Sequence, residues 1–224
     1  MLRIFGLAIA AAVLSGCAGP EHVSFPTQDG GVVHADMYGD GDRGVVLAHG
    51  GRFTKETWAT QAQTMSKAGF RVLAIDFRGR GQSRGGSQAT SRDDVRFDVL
   101  AAVRYLHEIG VKTVSVVGAS FGGWAAAQAA VEAAEGEIDR IVLLAASAID
   151  EPERMKGRKL FITTRDDFSG NGVLRLPEIR DQYERAPEPK ELLILEGSAH
   201  AQYIFETAQG QQLIREILRF LSEP

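Results

Sequence analysis

The sequence predicts a single α/β domain with a mostly parallel central sheet and helices on both of its faces. From residue 32 onward, short runs rich in β-branched and apolar residues alternate with longer amphipathic segments. Several of the short runs are apolar at almost every position, as in "RIVLLAA" (140–146), which is typical of strands that are buried on both faces. The 224 residues, 44% of them hydrophobic, suffice for one core but leave little room for a second.

The first half of the predicted domain contains three strands and two helices. The strands are "VVHADMY" (32–38), "GVVLAHG" (44–50) and "FRVLAIDF" (70–77). The first helix covers residues 55–69, with Trp58 and Met65 on its apolar face and Gly69 as its end. The second covers residues 91–110, where a serine cap and acidic residues in the first turn favour a helical start.

The second half contributes the remaining strands and helices. The strands are "KTVSVVG" (112–118), "RIVLLAA" (140–146), "KLFITT" (159–164) and "ELLILEG" (191–197). We expect helices directly after Ser120, across residues 174–185 and across residues 207–221. Strands and helices that alternate in this way favour a parallel sheet covered on both sides.

The first residues, "MLRIFGLAIAAAVLSGC", have the layout of a secretory signal. Arg3 precedes an eleven-residue apolar run that is too short to span a bilayer. The following "LSGC" resembles the bacterial lipobox, which implies cleavage before Cys17 and acylation of its thiol; an ordinary signal peptide with an incidental cysteine is the alternative. We therefore expect a signal peptide at 1–16, a lipidated tether at 17–31 and the folded domain at 32–224.

These expectations describe an exported bacterial lipoprotein that is anchored to a membrane through Cys17. In a cell with two membranes, the resemblance favours the outer one, on its periplasmic side. Cys17 is the only cysteine, so no disulfide can form within one molecule. A formal net charge of -4, with acidic and basic residues interspersed, argues against a nucleic-acid partner. We expect a monomer without metal or cofactor.

The segment "GASFGG" (118–123) sets Ser120 between glycines. A G-x-S-x-G match is expected by chance about 0.15 times in a chain of this composition, so the pattern alone is weak. Its context is stronger, because the match follows a buried-strand pattern and precedes a helix, the setting of a nucleophilic serine on a sharp turn. A phosphate-binding glycine loop is the alternative, but neither a Walker lysine nor a G-x-G-x-x-G order is present.

A nucleophilic serine needs a base within hydrogen-bond reach and an acid that orients the base. When the serine lies on a strand–turn–helix, the acid follows it later in the chain, and the histidine follows the acid. Of the five histidines, only His200 follows Ser120, directly after the last predicted strand. Asp166 and Asp167 follow the preceding predicted strand, "KLFITT" (159–164). We choose Asp167 as the acid, with Asp166 as the alternative.

The oxyanion that develops on the substrate must be met by backbone N–H groups fixed in advance. Phe121 offers one, as the residue after the serine at a helix N-terminus. The loop "LAHGGRF" (47–53) follows an early strand and offers the second, for which we choose Gly51, with Arg52 as the alternative.

Together these motifs resemble the α/β-hydrolase superfamily, in particular its small members related to dienelactone hydrolases and carboxylesterases. The segments that carry the resemblance are "HGG" (49–51), "GFRVLAIDFRGRGQS" (69–83), "GASFGG" (118–123), "TRDD" (164–167) and "GSAH" (197–200). The resemblance covers residues 32–222 and implies the α/β-hydrolase fold. It also implies that the arginines of "DFRGRGQS" (76–83) are structural or solvated rather than ligands.

Many relatives insert a cap domain after the strand "RIVLLAA". Here only about a dozen residues, 147–158, separate that strand from the next. We therefore expect no cap domain and an open, shallow site, which favours small esters or exposed acyl groups. Trp124 either lines this site or packs within its helix.

The sequence thus predicts a membrane-tethered serine hydrolase that cleaves carboxylic esters or related acyl compounds through an acyl-enzyme on Ser120. Its substrate is a small molecule. If an alcohol or amine competes with water for the acyl-enzyme, the same site becomes an acyltransferase. A lipoprotein that keeps the fold as a non-catalytic binding module is the remaining alternative.

Overall fold

Eight strands form one sheet in the computed structural model of the chain, which describes residues 19–86 and 92–223. The strands are β1 (Glu21–Pro26), β2 (Val32–Tyr38), β3 (Arg43–Ala48), β4 (Phe70–Ile75), β5 (Thr113–Ala119), β6 (Arg140–Leu144), β7 (Arg158–Thr164) and β8 (Lys190–Leu195). Their order across the sheet is β1-β2-β4-β3-β5-β6-β7-β8. Neighbours from β4 to β8 are parallel, whereas β1 and β2 and then β2 and β4 are antiparallel. The predicted mostly parallel α/β sheet is confirmed.

Helices cover the sheet on both faces, as predicted. The α-helices are α1 (Ala59–Lys67), α2 (Arg96–Glu108), α3 (Phe121–Glu132), α4 (Leu176–Arg185) and α5 (Gly210–Ser222). Residues of α2, α3 and α4 belong to one buried apolar cluster, and residues of α1 and α5 belong to a second. Among the helices described, none is long and apolar enough to cross a membrane.

Strand β1 corrects the tether predicted over residues 17–31, because residues 21–26 belong to the sheet. Among the described strands β1 pairs with β2 alone, and of its six side chains only that of Phe25 is buried. An edge strand of this kind has one exposed face and therefore no apolar run that would reveal it. Phe25 anchors the strand by stacking on Tyr105 of α2, with 4.7 Å between ring centroids. The signal peptide and Cys17 lie outside the described residues.

Several predicted boundaries shift by a few residues. The first predicted helix begins as a 3-10 helix, Lys55–Trp58, before α1. The predicted last helix begins at Gly210 instead of residue 207, after a separate 3-10 helix, Ala201–Glu206. The serine cap predicted at residue 91 lies outside the described residues.

The loop after β4 is held by a buried arginine. The Arg78 guanidinium donates hydrogen bonds to Asp98 of α2, at 2.7 and 2.9 Å, and to Asp29 at 2.6 Å. The side chain of Arg78 is 6% exposed and that of Asp98 is fully buried. Buried charges are retained only when they are paired in this way. The structural role expected for the arginines of this loop is confirmed for Arg78.

The connection from β6 to β7 is short. Its residues, 145–157, are all described, and the only regular element within them is the 3-10 helix Pro152–Arg154. This connection therefore carries no helical insertion that would cover the carboxyl ends of the strands.

Candidate active site

Ser120 lies at the turn between β5 and α3. Its backbone has φ 51° and ψ -112°, a conformation that residues other than glycine rarely adopt. The turn is so tight that a Cβ atom at Gly118 would overlap the Gly122 carbonyl, and one at Gly122 would overlap the Ala48 carbonyl. Glycine is therefore required at both positions of the G-x-S-x-G pattern. The strain at Ser120 is typical of functional turns that hold a side chain clear of the sheet.

His200 connects Ser120 to Asp167. The Nε2 atom of His200 lies 2.8 Å from Ser120 Oγ, and its Nδ1 atom lies 2.7 Å from Asp167 Oδ2. Because an ionised carboxylate only accepts hydrogen bonds, Nδ1 carries the donated proton and Nε2 is left to accept the serine proton. The three side chains predicted from their order in the sequence are thus brought together in one hydrogen-bonded chain.

Of the two neighbouring aspartates, the structure places Asp167 next to His200. Asp167 lies just after β7 and is fully buried, whereas Asp166 is exposed. The second carboxylate oxygen of Asp167, Oδ1, accepts no hydrogen bond from the described residues and forms an ion pair with Arg175 Nε at 3.6 Å. Arg175 is not predicted from the sequence, because no motif connects it to the serine.

The loop that carries His200 is tied to the end of the neighbouring strand. Thr164, the last residue of β7, donates a hydrogen bond of 3.0 Å from Oγ1 to the carbonyl oxygen of Ala199. Ala201, directly after the histidine, has a φ of 51°. His200 thus lies between Ala199, whose carbonyl is hydrogen-bonded, and Ala201, whose backbone has a positive φ. Both neighbours limit the movement of the His200 backbone.

Gly51, predicted to face the oxyanion, lies beside Phe121. A Cβ atom built at Gly51 would be 3.5 Å from the Cβ atom of Phe121, so the two predicted N–H donors belong to adjacent backbone segments next to Ser120. The Arg80 guanidinium donates a hydrogen bond to the carbonyl oxygen of Gly51. Arg80 therefore stabilises the loop that carries Gly51. The alternative donor, Arg52, follows directly in the same loop.

Two further side chains hold this loop, and both are buried. Gln202 accepts a hydrogen bond of 2.8 Å from the Gly50 N–H and donates one of 3.0 Å to Thr57 Oγ1. His49 donates from Nδ1 to the Gly50 carbonyl at 2.8 Å and accepts at Nε2 from the Phe77 N–H at 3.3 Å. These bonds require a neutral imidazole, and burial lowers the pKa of His49 from its ordinary value of 6.5.

A cavity of about 410 Å³ opens beside Ser120 and His200. Aromatic side chains form much of its wall, with Phe168 and Tyr203 56% and 46% exposed. Trp124 is not part of the wall and stacks against Phe121, with 5.8 Å between ring centroids. Over residues 19–86 and 92–223, no three His, Cys, Asp or Glu side chains are grouped to hold a metal ion.

Several known proteins are similar to this chain in sequence. The model of the alpha/beta hydrolase family matches residues 45–217. A non-heme haloperoxidase of Rhodococcus erythropolis is 30% identical over 118 residues, which are 53% of this chain and 42% of that protein. A 2-hydroxy-6-oxononadienedioate/2-hydroxy-6-oxononatrienedioate hydrolase of Burkholderia vietnamiensis is 32% identical over 115 residues, 50% of this chain and 39% of that protein. Each match therefore spans less than half of the relative's length.

Among solved structures, an esterase of Pyrococcus furiosus has a similar fold. The superposition covers 96% of this chain and 95% of the esterase, with a TM-score of 0.76 and 19% sequence identity. At this identity the likeness concerns the fold, and function has to be argued from the site.

Proposed function

Because the chain belongs to the alpha/beta hydrolase family, we propose that it is a serine hydrolase that cleaves carboxylic esters or related acyl compounds. The observation that carries the proposal is the continuous chain from Asp167 through His200 to Ser120, with bonds of 2.7 and 2.8 Å, which ends in a cavity. Within the family, the motifs resemble those of the small carboxylesterases and dienelactone hydrolases.

In the first half of the proposed reaction, Ser120 Oγ attacks the acyl carbonyl carbon while His200 Nε2 takes the serine proton. Asp167 stabilises the imidazolium that forms. The negative charge on the carbonyl oxygen is met by the backbone N–H groups of Gly51 and Phe121. When the tetrahedral intermediate collapses, the bond to the leaving group breaks, His200 passes its proton to that group, and the acyl-enzyme remains.

In the second half, water repeats these steps. His200 takes a proton from the water as its oxygen attacks the acyl-enzyme carbonyl, and it returns the proton to Ser120 as the carboxylic acid leaves. An alcohol or amine that replaces the water would receive the acyl group instead. The absence of a helical insertion between β6 and β7 supports a solvent-open site that admits small esters and competing nucleophiles.

The proposal is tested by the hydrolysis of p-nitrophenyl esters of increasing acyl length. We expect a burst of nitrophenol close to one equivalent when deacylation is slow, and steady turnover otherwise. Added methanol that raises the rate of nitrophenol release and yields the methyl ester would identify acyl transfer. A folded protein that releases nitrophenol no faster than its Ser120→Ala variant would support a binding module instead of an enzyme.

We further propose that acylation of Cys17 anchors the protein to a membrane as an exported lipoprotein. The apolar run followed by "LSGC" supports this proposal. In cells grown with radiolabelled palmitate, the protein should carry label and sediment with membranes, and Cys17→Ser should remove both properties while ester hydrolysis persists. Unlabelled protein, or a Cys17→Ser variant that still sediments with membranes, would contradict the anchor.

A further inference from the structure

The charged side chains that line the candidate cavity are cationic. They are those of two arginines, Arg52 and Arg175. In the described part of the chain, no Asp or Glu side chain lines this cavity. A cavity with walls of one charge sign concentrates ligands of the opposite sign.

Arg175 directly precedes α4 and lies behind the triad acid. Among the described residues its buried Nε atom has no hydrogen-bond partner, since Asp167 Oδ1, at 3.6 Å, is too far for a hydrogen bond. None of the described residues accepts a hydrogen bond from this guanidinium. The side chain is 22% exposed, so part of it reaches the cavity. Its buried Nε atom faces Asp167 as an ion pair, and its exposed part is available to donate hydrogen bonds to an incoming anion.

Arg52 directly follows Gly51 and lines the same cavity. The residue is exposed, and within residues 19–86 and 92–223 it forms no ion pair. The two guanidinium groups outnumber the one carboxylate at the site, that of Asp167. Transfer of the serine proton to His200 does not change the excess of positive charge at the site, because the positive imidazolium forms together with the negative oxyanion.

The remaining wall is mainly aromatic. Phe53 and Tyr203 are in edge-to-face contact, with ring centroids 5.3 Å apart, and Phe121 and Phe168 complete the apolar surface. A ligand that matches this wall has an apolar body. The cationic and aromatic parts together therefore fit an amphiphilic anion.

We propose that the preferred substrates are acyl compounds with an apolar body and a carboxylate group, and that Arg52 and Arg175 bind the carboxylate. This inference rests on the proposed hydrolase function. Arg52 and Arg175 are then specificity-determining residues of the proposed hydrolase. The carboxylate belongs either to the acyl group or to the leaving group, and both positions are tested.

Two pairs of esters test the effect of the carboxylate charge, because the two members of each pair differ only in whether the carboxylate is free or methylated. The first pair is mono-4-nitrophenyl adipate and its methyl ester, followed by nitrophenol release. The second is 4-acetoxybenzoate and its methyl ester, followed by acetate release. In at least one pair, kcat/KM should be higher for the anionic member at low ionic strength, and added salt should reduce the preference.

Arg52→Gln and Arg175→Gln should each lower the anionic-to-neutral ratio of kcat/KM by about fivefold or more, because a charge-assisted hydrogen bond is lost. Arg215→Gln is the matched control: it removes the same charge from an exposed position on α5 outside the cavity, and the ratio should stay at the wild-type value. The ratio is diagnostic because a general loss of triad geometry would slow both members of a pair equally.

If the neutral esters are hydrolysed but neither pair favours its anionic member, the inference about substrate class is overturned and the hydrolase proposal stands. The same holds if both Arg52→Gln and Arg175→Gln leave the ratio unchanged. If a folded protein hydrolyses none of the four esters and is not labelled by a fluorophosphonate, both proposals are overturned.

Discussion

The side-chain oxygen of Gln202 accepts a hydrogen bond of 2.8 Å from the backbone N–H of Gly50. Gln202 lies two residues after His200, and Gly50 directly precedes Gly51. One buried side chain therefore couples the loop of the proposed base to the loop of the proposed oxyanion donor. Since catalysis depends on placing these groups to within fractions of an ångström, we infer that Gln202 is a positioning residue.

Gln202→Leu should lower kcat by about tenfold and the free energy of unfolding by about 1–3 kcal/mol, because the Gly50 N–H is left buried without an acceptor. The measurements are steady-state kinetics and denaturant unfolding. Thr57→Val is the matched control, since it removes the second partner of Gln202 but leaves the bond to Gly50 intact. Equal kcat values for Gln202→Leu and Thr57→Val would contradict the positioning role.

Asp167→Asn should reduce kcat by about a thousandfold or more, because an amide cannot hold His200 in the required tautomer or stabilise the imidazolium. Asp166→Asn is the adjacent control, and its exposed side chain predicts a change of less than about twofold. Steady-state kinetics of both variants on one p-nitrophenyl ester show which aspartate is the triad acid. A larger loss in Asp166→Asn would transfer the role to Asp166.

Gly122→Ala should destabilise the fold by at least about 1–3 kcal/mol, because the added Cβ overlaps the Ala48 carbonyl and cannot be accommodated without moving backbone. Gly170→Ala is the control, since a Cβ atom there has no atom of the described residues within 4 Å. Thermal unfolding of the two variants gives the comparison. Equal melting temperatures would show that the turn at Ser120 is looser than described.

Burial lowers the pKa of His49, so the unfolded chain takes up a proton at a higher pH than the folded protein does. The stability contributed by neutral His49 is therefore fully present above the unfolded value of about 6.5 and declines as the pH falls below it. Between about pH 8 and pH 5.5, wild type should lose up to about 1.4 kcal/mol more unfolding free energy than His49→Gln. Denaturant unfolding of both proteins at the two pH values tests this, and equal losses would refute it.

The parts of the fold that the sequence predicts are those with a periodic signal. The buried strands β3 to β7 are apolar runs, so their number and order follow from the pattern. β1 was missed because an edge strand is solvated on one face and paired on one side. Its polar sequence is typical of a linker as well as of a strand.

The candidate site also contains residues that a sequence pattern reveals and residues that no pattern reveals. Ser120, Asp167 and His200 follow chain order and strand ends, which sequence patterns reveal. Gln202 and Arg175 have no such pattern, because their partners, Gly50 and Asp167, are reached only through tertiary contacts between loops. The spacing of Gln202 from His200 could have suggested a role near the site, but not which backbone group it binds.

Covalent labelling by a fluorophosphonate probe, located by mass spectrometry of the labelled peptide, tests the nucleophile most directly. A fluorophosphonate reacts with a serine hydroxyl only when a neighbouring base activates it. The expected result is one modified residue, Ser120, with labelling abolished in Ser120→Ala and strongly slowed in His200→Gln. A folded protein that stays unlabelled, or one whose Ser120→Ala variant is labelled at the wild-type rate, would contradict it.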